Sequence, residues 1–393
     1  MDIPITKTYF GPEELRAVQI PLETGWVVQG PFVKLFEDRF SKFTGAPFSS
    51  ATSSCTTALH IAVAALGLKP GDEVIVPAFT WVATANVVEY MGATPIFCDI
   101  DLQTFNIDVR QVESLVTPST VGIIPVHLFG LCADMGALLE IARNHRLWVV
   151  EDAACAFGGW IGDKHAGTFG DAGCFSFHPR KSLTTGEGGM ITTGHEEIDR
   201  LSRSLRDHGA SRSDLARHTE KASFLLAEYN HLGYNFRMTD IQGALGCAQM
   251  DRAEWLLQER ALRASNYDEI LAGLEWLDIP FVPEGYTHGY QAYVCLFKPE
   301  MPTLNNVEQL HDQRNALMMA LEDKGIATRQ GTHSPVIQGY YADKYGLRPE
   351  QFPNSYIADR LSLALPLYPQ MTDEEQNLVC DSLRSARNEN VGV

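Results

Sequence analysis

Two residues have the types and the spacing for amine–carbonyl chemistry. Leu147-Trp148-Val149-Val150-Glu151-Asp152-Ala153-Ala154 reads as an apolar strand that delivers two acids at its carboxyl end. An Asp there is either a helix N-cap or turn residue, or a buried carboxylate facing a protonated heteroaromatic nitrogen. One strand later comes Ser176-Phe177-His178-Pro179-Arg180-Lys181-Ser182-Leu183-Thr184-Thr185-Gly186-Glu187-Gly188-Gly189. A lysine taken alone is ordinarily a solvated surface residue. Around Lys181 the hydroxyls and glycines, which let backbone or ligand approach closely, argue for the functional reading. A lysine supplies a Schiff base and a carboxylate keeps a pyridine nitrogen protonated, so the pair points to pyridoxal 5'-phosphate (PLP).

That coenzyme needs an anion site and a platform for its ring. Ala51-Thr52-Ser53-Ser54-Cys55-Thr56-Thr57-Ala58 opens a helix with five hydroxyls in six residues. Plain N-capping needs one hydroxyl, whereas a phosphate cradle uses several together with the helix's first N–H groups. Trp81 follows the strand that ends at Pro77; it is either a core residue or a flat side chain placed to stack on a pyridine.

The elements that must position these residues are legible as alternating textures. Helical Ser54–Leu66, Trp81–Met91 and Met135–Asn144 interleave with short apolar strands at 73–77, 94–99, 121–126 and 147–151. Continuous apolar strands between helices predict a parallel sheet covered on both faces, with ligands at the strands' carboxyl ends. Beyond residue 250 the pattern changes: a long helix at 251–274, a strand at 290–297, a helix at 307–324, a short strand at 326–329 and a final helix at 372–387. The expected organisation is a large sheet domain over 1–250 and a small α+β domain over 251–393. The long polar loop 210–229 reads as a functional or interface loop. Arg206 and His208 before it are explained by packing at a helix end.

Composition narrows the function. The 393 residues carry a formal net charge of −18 and no basic block. That field repels phosphate backbones, so no nucleic-acid partner is expected, and an anionic substrate needs local basic groups. The eight cysteines form no C-x-x-C pair; they read as reduced thiols of a cytoplasmic protein with neither disulfides nor a metal site. No signal peptide and no membrane span are expected from the sequence.

Seven segments in order resemble the DegT/DnrJ/EryC/StrS aminotransferases, PLP enzymes acting on nucleotide-linked sugars. They are Gly25-Trp26-Val27-Val28-Gln29-Gly30, the run from Pro77 to Asn86, Pro125-Val126-His127-Leu128-Phe129-Gly130, Glu151-Asp152-Ala153-Ala154, and Ser176 to Lys181 with Gly186-Glu187-Gly188-Gly189. Gly233-Tyr234-Asn235-Phe236-Arg237-Met238 and Leu365-Pro366-Leu367-Tyr368-Pro369 complete the set. The resemblance covers nearly the whole chain and implies an α/β fold of PLP-dependent fold type I (aspartate aminotransferase-like), with a large, mostly parallel sheet domain and a small C-terminal α+β domain.

It further implies that Lys181 carries the coenzyme and Asp152 pairs with its ring nitrogen. Trp81 would stack on the ring, with Ser54, Cys55, Thr56 and Ser176 at the phosphate. Asn235 would reach the phosphate of the other subunit, making a homodimer with shared active sites. Cys55 stands where glycine is usual, Ser182 where asparagine is common, and Cys155 where Gln or His contacts the coenzyme's phenolic oxygen; a thiol is a weaker donor. Trp26, Gln29, His127, Phe129, Arg329 and His333 are the expected substrate contacts. The implied reaction moves an amino group from glutamate to a nucleotide-linked ketosugar, at C4 as in perosamine-synthase-like members, for amino-sugar and surface-polysaccharide synthesis. A C3-ketosugar or cyclitol acceptor, a sugar 3-dehydratase and a non-catalytic regulator of the same fold are the alternatives. Lys181 argues against the dehydratase, where histidine replaces it.

Overall fold

The computed structural model describes residues 2–212 and 227–390. Its first nine strands are β1 (Phe48–Thr52), β2 (Glu73–Pro77), β3 (Thr94–Cys98), β4 (Thr120–Ile123), β5 (Trp148–Asp152), β6 (Trp160–Ile161), β7 (Lys164–His165), β8 (Ala172–Ser176) and β9 (Gly189–Thr193). Seven of them form one sheet in the order β1-β9-β8-β5-β4-β2-β3. From β3 to β8 every neighbour is parallel; β9 runs antiparallel to both β8 and β1. The sheet is mostly parallel, as the apolar runs predict.

The middle of β2 shows why those runs are unbroken. Val74 and Val76 share a core with Ala58, Leu59 and Ala62 of helix Cys55–Ala65, while Ile75 shares another with Met135, Leu138 and Ala142 of helix Met135–His145. Successive side chains of a strand point to opposite faces, so the middle of a strand covered on both sides is apolar at every position. Each fully buried side chain of this kind contributes roughly 1.5–3 kcal/mol.

The C-terminal part adds β10 (Leu277–Asp278), β11 (Tyr286–Thr287), β12 (Tyr293–Phe297) and β13 (Ser362–Leu365). An antiparallel sheet β10-β12-β13 packs under helices Ala253–Leu271, Val307–Glu322 and Asp373–Asn390 through Tyr267, Leu317, Leu321, Val379 and Leu383. β11 pairs instead with β6, which in turn pairs with β7.

One expectation for the C-terminal part differs from the structure, and two others gain detail. The helix read at 251–274 is present as Ala253–Leu271, and a further helix, Asp240–Asp251, precedes it and ends at Arg252. No Gly or Pro marks that junction; the Arg252 guanidinium instead holds Glu14 at 2.7 Å and Glu13 at 2.9 Å. The strand read at 326–329 is reduced to isolated bridges, Ile3 with Ile326 and Arg329 with Ala364. The loop read at 210–229 is closed at its base by an Ala210–Tyr229 bridge, and its residues 213–226 lie outside the described residues.

Candidate active site

The site is built at the carboxyl ends of β2, β5 and β8, where a ligand is expected in such sheets. The pleat sorts the two acids that end β5. Glu151 points to one face, where Oε2 accepts from Gly167 N at 2.7 Å and Oε1 from Phe169 and Gly170 N at 2.6 and 2.7 Å. Its remaining partner is His127 Nε2 at 2.8 Å, and neither side chain is exposed at all. Ala133 N donates to His127 Nδ1 at 3.0 Å, so that nitrogen is the acceptor and Nε2 carries the proton toward Glu151. Glu151 is therefore structural: it ties the loop after β7 to the strand.

Asp152 takes the opposite face. It is buried, accepting from Thr84 Oγ1 at 2.7 Å and from Ala154 N at 3.1 Å. Burial pushes its carboxyl above the ordinary range, against the pull of those two bonds and of the Lys181 charge. A buried carboxylate so placed gains by facing a cationic N–H.

Lys181 lies in a turn closed by Lys181 N to His178 O at 2.8 Å and Thr185 N to Phe177 O at 3.0 Å. Two remote segments grip this turn from outside: Thr8 Oγ1 donates to Pro179 O at 3.1 Å and Gln291 Nε2 to Arg180 O at 2.8 Å. The Lys181 side chain is half-buried, and its Nζ donates to Cys155 Sγ at 3.0 Å. Burial opposes its charge, but the sulfur of Cys155 together with Cys55 and Asp152 outweighs that and holds the amine above its ordinary pKa. Lys181, Asp152, Cys155 and Cys55 thus interact as one cluster.

The proposed phosphate turn is folded more economically than its hydroxyls suggest. Ser54 caps helix Cys55–Ala65: its Oγ accepts from Thr57 N at 3.2 Å while Thr57 Oγ1 accepts from Ser54 N at 3.0 Å. Thr52 Oγ1 is spent on Ser54 O at 2.9 Å. What is left for an anion is the first amides of the helix, at Cys55 and Thr56, and the Thr56 hydroxyl. A Cβ at Gly189 would stand 2.3 Å from Ser54 O, so only glycine lets β9 run beneath this turn. Ser176, half-buried at the end of β8, accepts from His178 N at 3.4 Å. Trp81 is 61% exposed, its ring centroid 6.0 Å from that of His333. Exposure of so large a ring suits a stacking platform and excludes the core reading. Carboxylate, amine, helix N-terminus and bare indole fit a pyridine phosphate aldehyde.

The remaining expected contacts divide. His333 and Arg329 are exposed, and no carboxylate among the described residues pairs with Arg329. Asn235 is exposed on a segment that bridges to Asp207. Gln29 is buried and lines a separate cavity of about 420 Å³ with Lys34, Arg203 and Arg206, containing none of Lys181, Asp152, Ser176 or Trp81. Trp26 Nε1 donates to Gln29 O at 3.4 Å. Two expectations are corrected. His127 is wholly buried with both ring nitrogens engaged, and Phe129 is 6% exposed in the core beside Phe105, so neither is a substrate contact. Arg206 packs at its helix end as expected, its guanidinium on Glu37 at 2.6 Å and Ala51 O at 2.5 Å. Thr84 was not picked out from the sequence; only its place one turn beyond Trp81 could have indicated it.

Comparison with known proteins agrees with this geometry. A model of the DegT/DnrJ/EryC1/StrS aminotransferase family matches residues 9–384. The spore coat polysaccharide biosynthesis protein SpsC of Bacillus subtilis is 37% identical over 383 residues, 97% of this chain and 96% of its own. MJ1066 of Methanocaldococcus jannaschii is 35% identical over 388 residues, 99% and 98% of the two chains. Among solved structures, the PLP form of Spr1654 from Streptococcus pneumoniae, assigned as a sugar aminotransferase, superposes with a TM-score of 0.91 at 28% identity, over the full length of both chains.

Proposed function

The chain belongs to the DegT/DnrJ/EryC1/StrS aminotransferase family and is a PLP-dependent sugar aminotransferase, and from that premise we propose that it moves an amino group from glutamate to the C4 keto group of a nucleotide-linked 6-deoxyhexose. The observation that carries this reading is a buried Asp152, held by Thr84 and Ala154 N at the end of β5, on the same carboxyl edge of the sheet as Lys181, whose amine donates to Cys155.

When bound, PLP supplies an electron sink for negative charge at a substrate carbon. The chain's residues do the rest. Lys181 Nζ would hold the coenzyme, and its amine would serve as the general base and then the general acid that moves the proton of the substrate carbon. Asp152 keeps the proton on the ring nitrogen, and Thr84 and Ala154 N fix the carboxylate in orientation. The Cys55 and Thr56 amides and the Ser176 hydroxyl bind the phosphate. Trp81 covers the ring, and Cys155 stands beside the attachment point.

Arg329 and His333, exposed on the loop that also approaches Trp81, are the groups we assign to the substrate's pyrophosphate. Trp26 and Gln29 belong to the sugar or nucleotide side of the same reading. In this account residues 1–250 are the coenzyme domain and 251–393 the small domain. The working unit is a cytoplasmic homodimer in which Asn235 of each copy serves the other's phosphate. The SpsC relative supports a role in surface-polysaccharide amino-sugar synthesis. A panel of nucleotide-4-ketosugars with glutamate, read by product mass, tests the proposal: one acceptor gains the mass of an amine for an oxygen. Amination of only C3-ketosugars or cyclitols overturns the C4 assignment.

A further inference from the structure

Cys155 is the one thiol of the eight that is not buried, and it is also the one in hydrogen-bond contact with the Lys181 amine, at 3.0 Å. Nothing in the transfer reaction requires a nucleophilic sulfur there. Of the eight thiols it is the most accessible to a small oxidant, and the group in contact that could trap the oxidised form is the Lys181 amine. Oxidised thiols condense with nitrogen nucleophiles as well as with thiols.

We propose that Cys155 and Lys181 form a peroxide-responsive covalent modification site that closes when the coenzyme is absent. In the first step a hydroperoxide transfers its terminal oxygen to Cys155 Sγ: the O–O bond breaks, sulfur gives up two electrons, and an alcohol or water leaves with Cys155 as its sulfenic acid. In the second, the Lys181 ammonium gives one proton to solvent, the lone pair so freed on Nζ attacks that sulfur, and the S–O bond breaks. The departing hydroxide takes a proton from nitrogen and leaves as water. The product is an S–N bond between the two side chains, which a dithiol reduces back to thiol and amine. The site then cannot accept coenzyme until it is reduced. The inference rests on Lys181 being the coenzyme's attachment point only for its protection arm, since the S–N bond itself needs the 3.0 Å contact alone.

The test uses the full chain stripped of PLP and treated with hydrogen peroxide, followed by intact mass and peptide mapping. The expected result is a loss of two hydrogen atoms, a single cross-link joining the peptides of Cys155 and Lys181, loss of PLP uptake, and reversal of all three by dithiothreitol. Cys155→Ser gives no link. Cys155 found as an unlinked sulfinic or sulfonic acid, as a disulfide with Cys55, or as untouched thiol overturns the proposal. In the PLP-loaded chain the link is suppressed. A link that forms equally with and without PLP supports the S–N bond but contradicts Lys181 as the attachment residue, so the two failures are told apart.

Discussion

The Thr84 hydroxyl stands 2.7 Å from Asp152 Oδ2 and donates to it, joining the helix that follows Trp81 to the acid at the end of β5. Neither residue is exposed. Ala154 N donates to the other oxygen, Oδ1, at 3.1 Å, so the two bonds together fix the orientation of the carboxylate. Thr84→Val keeps the shape and removes the donor. Hydrogen bonds to charged groups are worth about 1.5–3 kcal/mol, so PLP affinity, measured by titration of the stripped chain, falls about tenfold or more. Unchanged affinity would show that Asp152 needs no such support.

Asp152 itself has a pH signature. Its folded pKa is raised by burial, so between the ordinary carboxyl value and the raised one the folded state holds a proton that the unfolded state has lost. The group's contribution to stability therefore falls as pH rises through that window. In the PLP-free chain Asp152→Asn unfolds at no lower temperature than the parent at neutral pH, and the difference between them shrinks on acidification. With PLP the same variant loses about a hundredfold or more in kcat.

His127 and Glu151 supply the contrasting case. Removing the His127 Nε2–H donor takes one hydrogen bond from the buried Glu151 side chain, and such a bond to a charged group is worth about 1.5–3 kcal/mol. Glu151 also satisfies three loop amides. His127→Ala is thus expected to lower the denaturation midpoint while leaving KM for the ketosugar nearly unchanged. A KM effect without a stability effect would restore His127 as a substrate contact.

Trp81 predicts the reverse split. Being largely exposed, its ring holds little of the fold together. Ring stacking is worth about 0.5–1.5 kcal/mol beyond area burial. Trp81→Ala should weaken PLP retention several-fold at constant melting temperature of the stripped chain.

Much of this was legible in the sequence because strands buried on both faces favour continuous apolar runs, so β2, β3 and β5 announce themselves. β1 did not: Phe48-Ser-Ser-Ala-Thr52 has no apolar run, and it becomes a strand through its antiparallel pairing with β9. The same hydroxyls misled in part at the phosphate turn, where Thr52 and Ser54 satisfy the backbone instead of a ligand. Asp152 and Lys181 stood out by position after strands. His127 also follows a strand, yet it faces away from them, toward Glu151, and no feature of the linear order distinguishes the two sides of that edge. Arg252, between two helices, pairs with Glu13 and Glu14, acids far away in sequence, which no local signal reveals.

The most direct test is where PLP attaches. The loaded enzyme, reduced with borohydride and digested, should carry the coenzyme's mass on Lys181 and on no other lysine, and Lys181→Ala should bind PLP only reversibly and turn over no substrate. Coenzyme fixed at another lysine, or full activity in Lys181→Ala, would contradict the account.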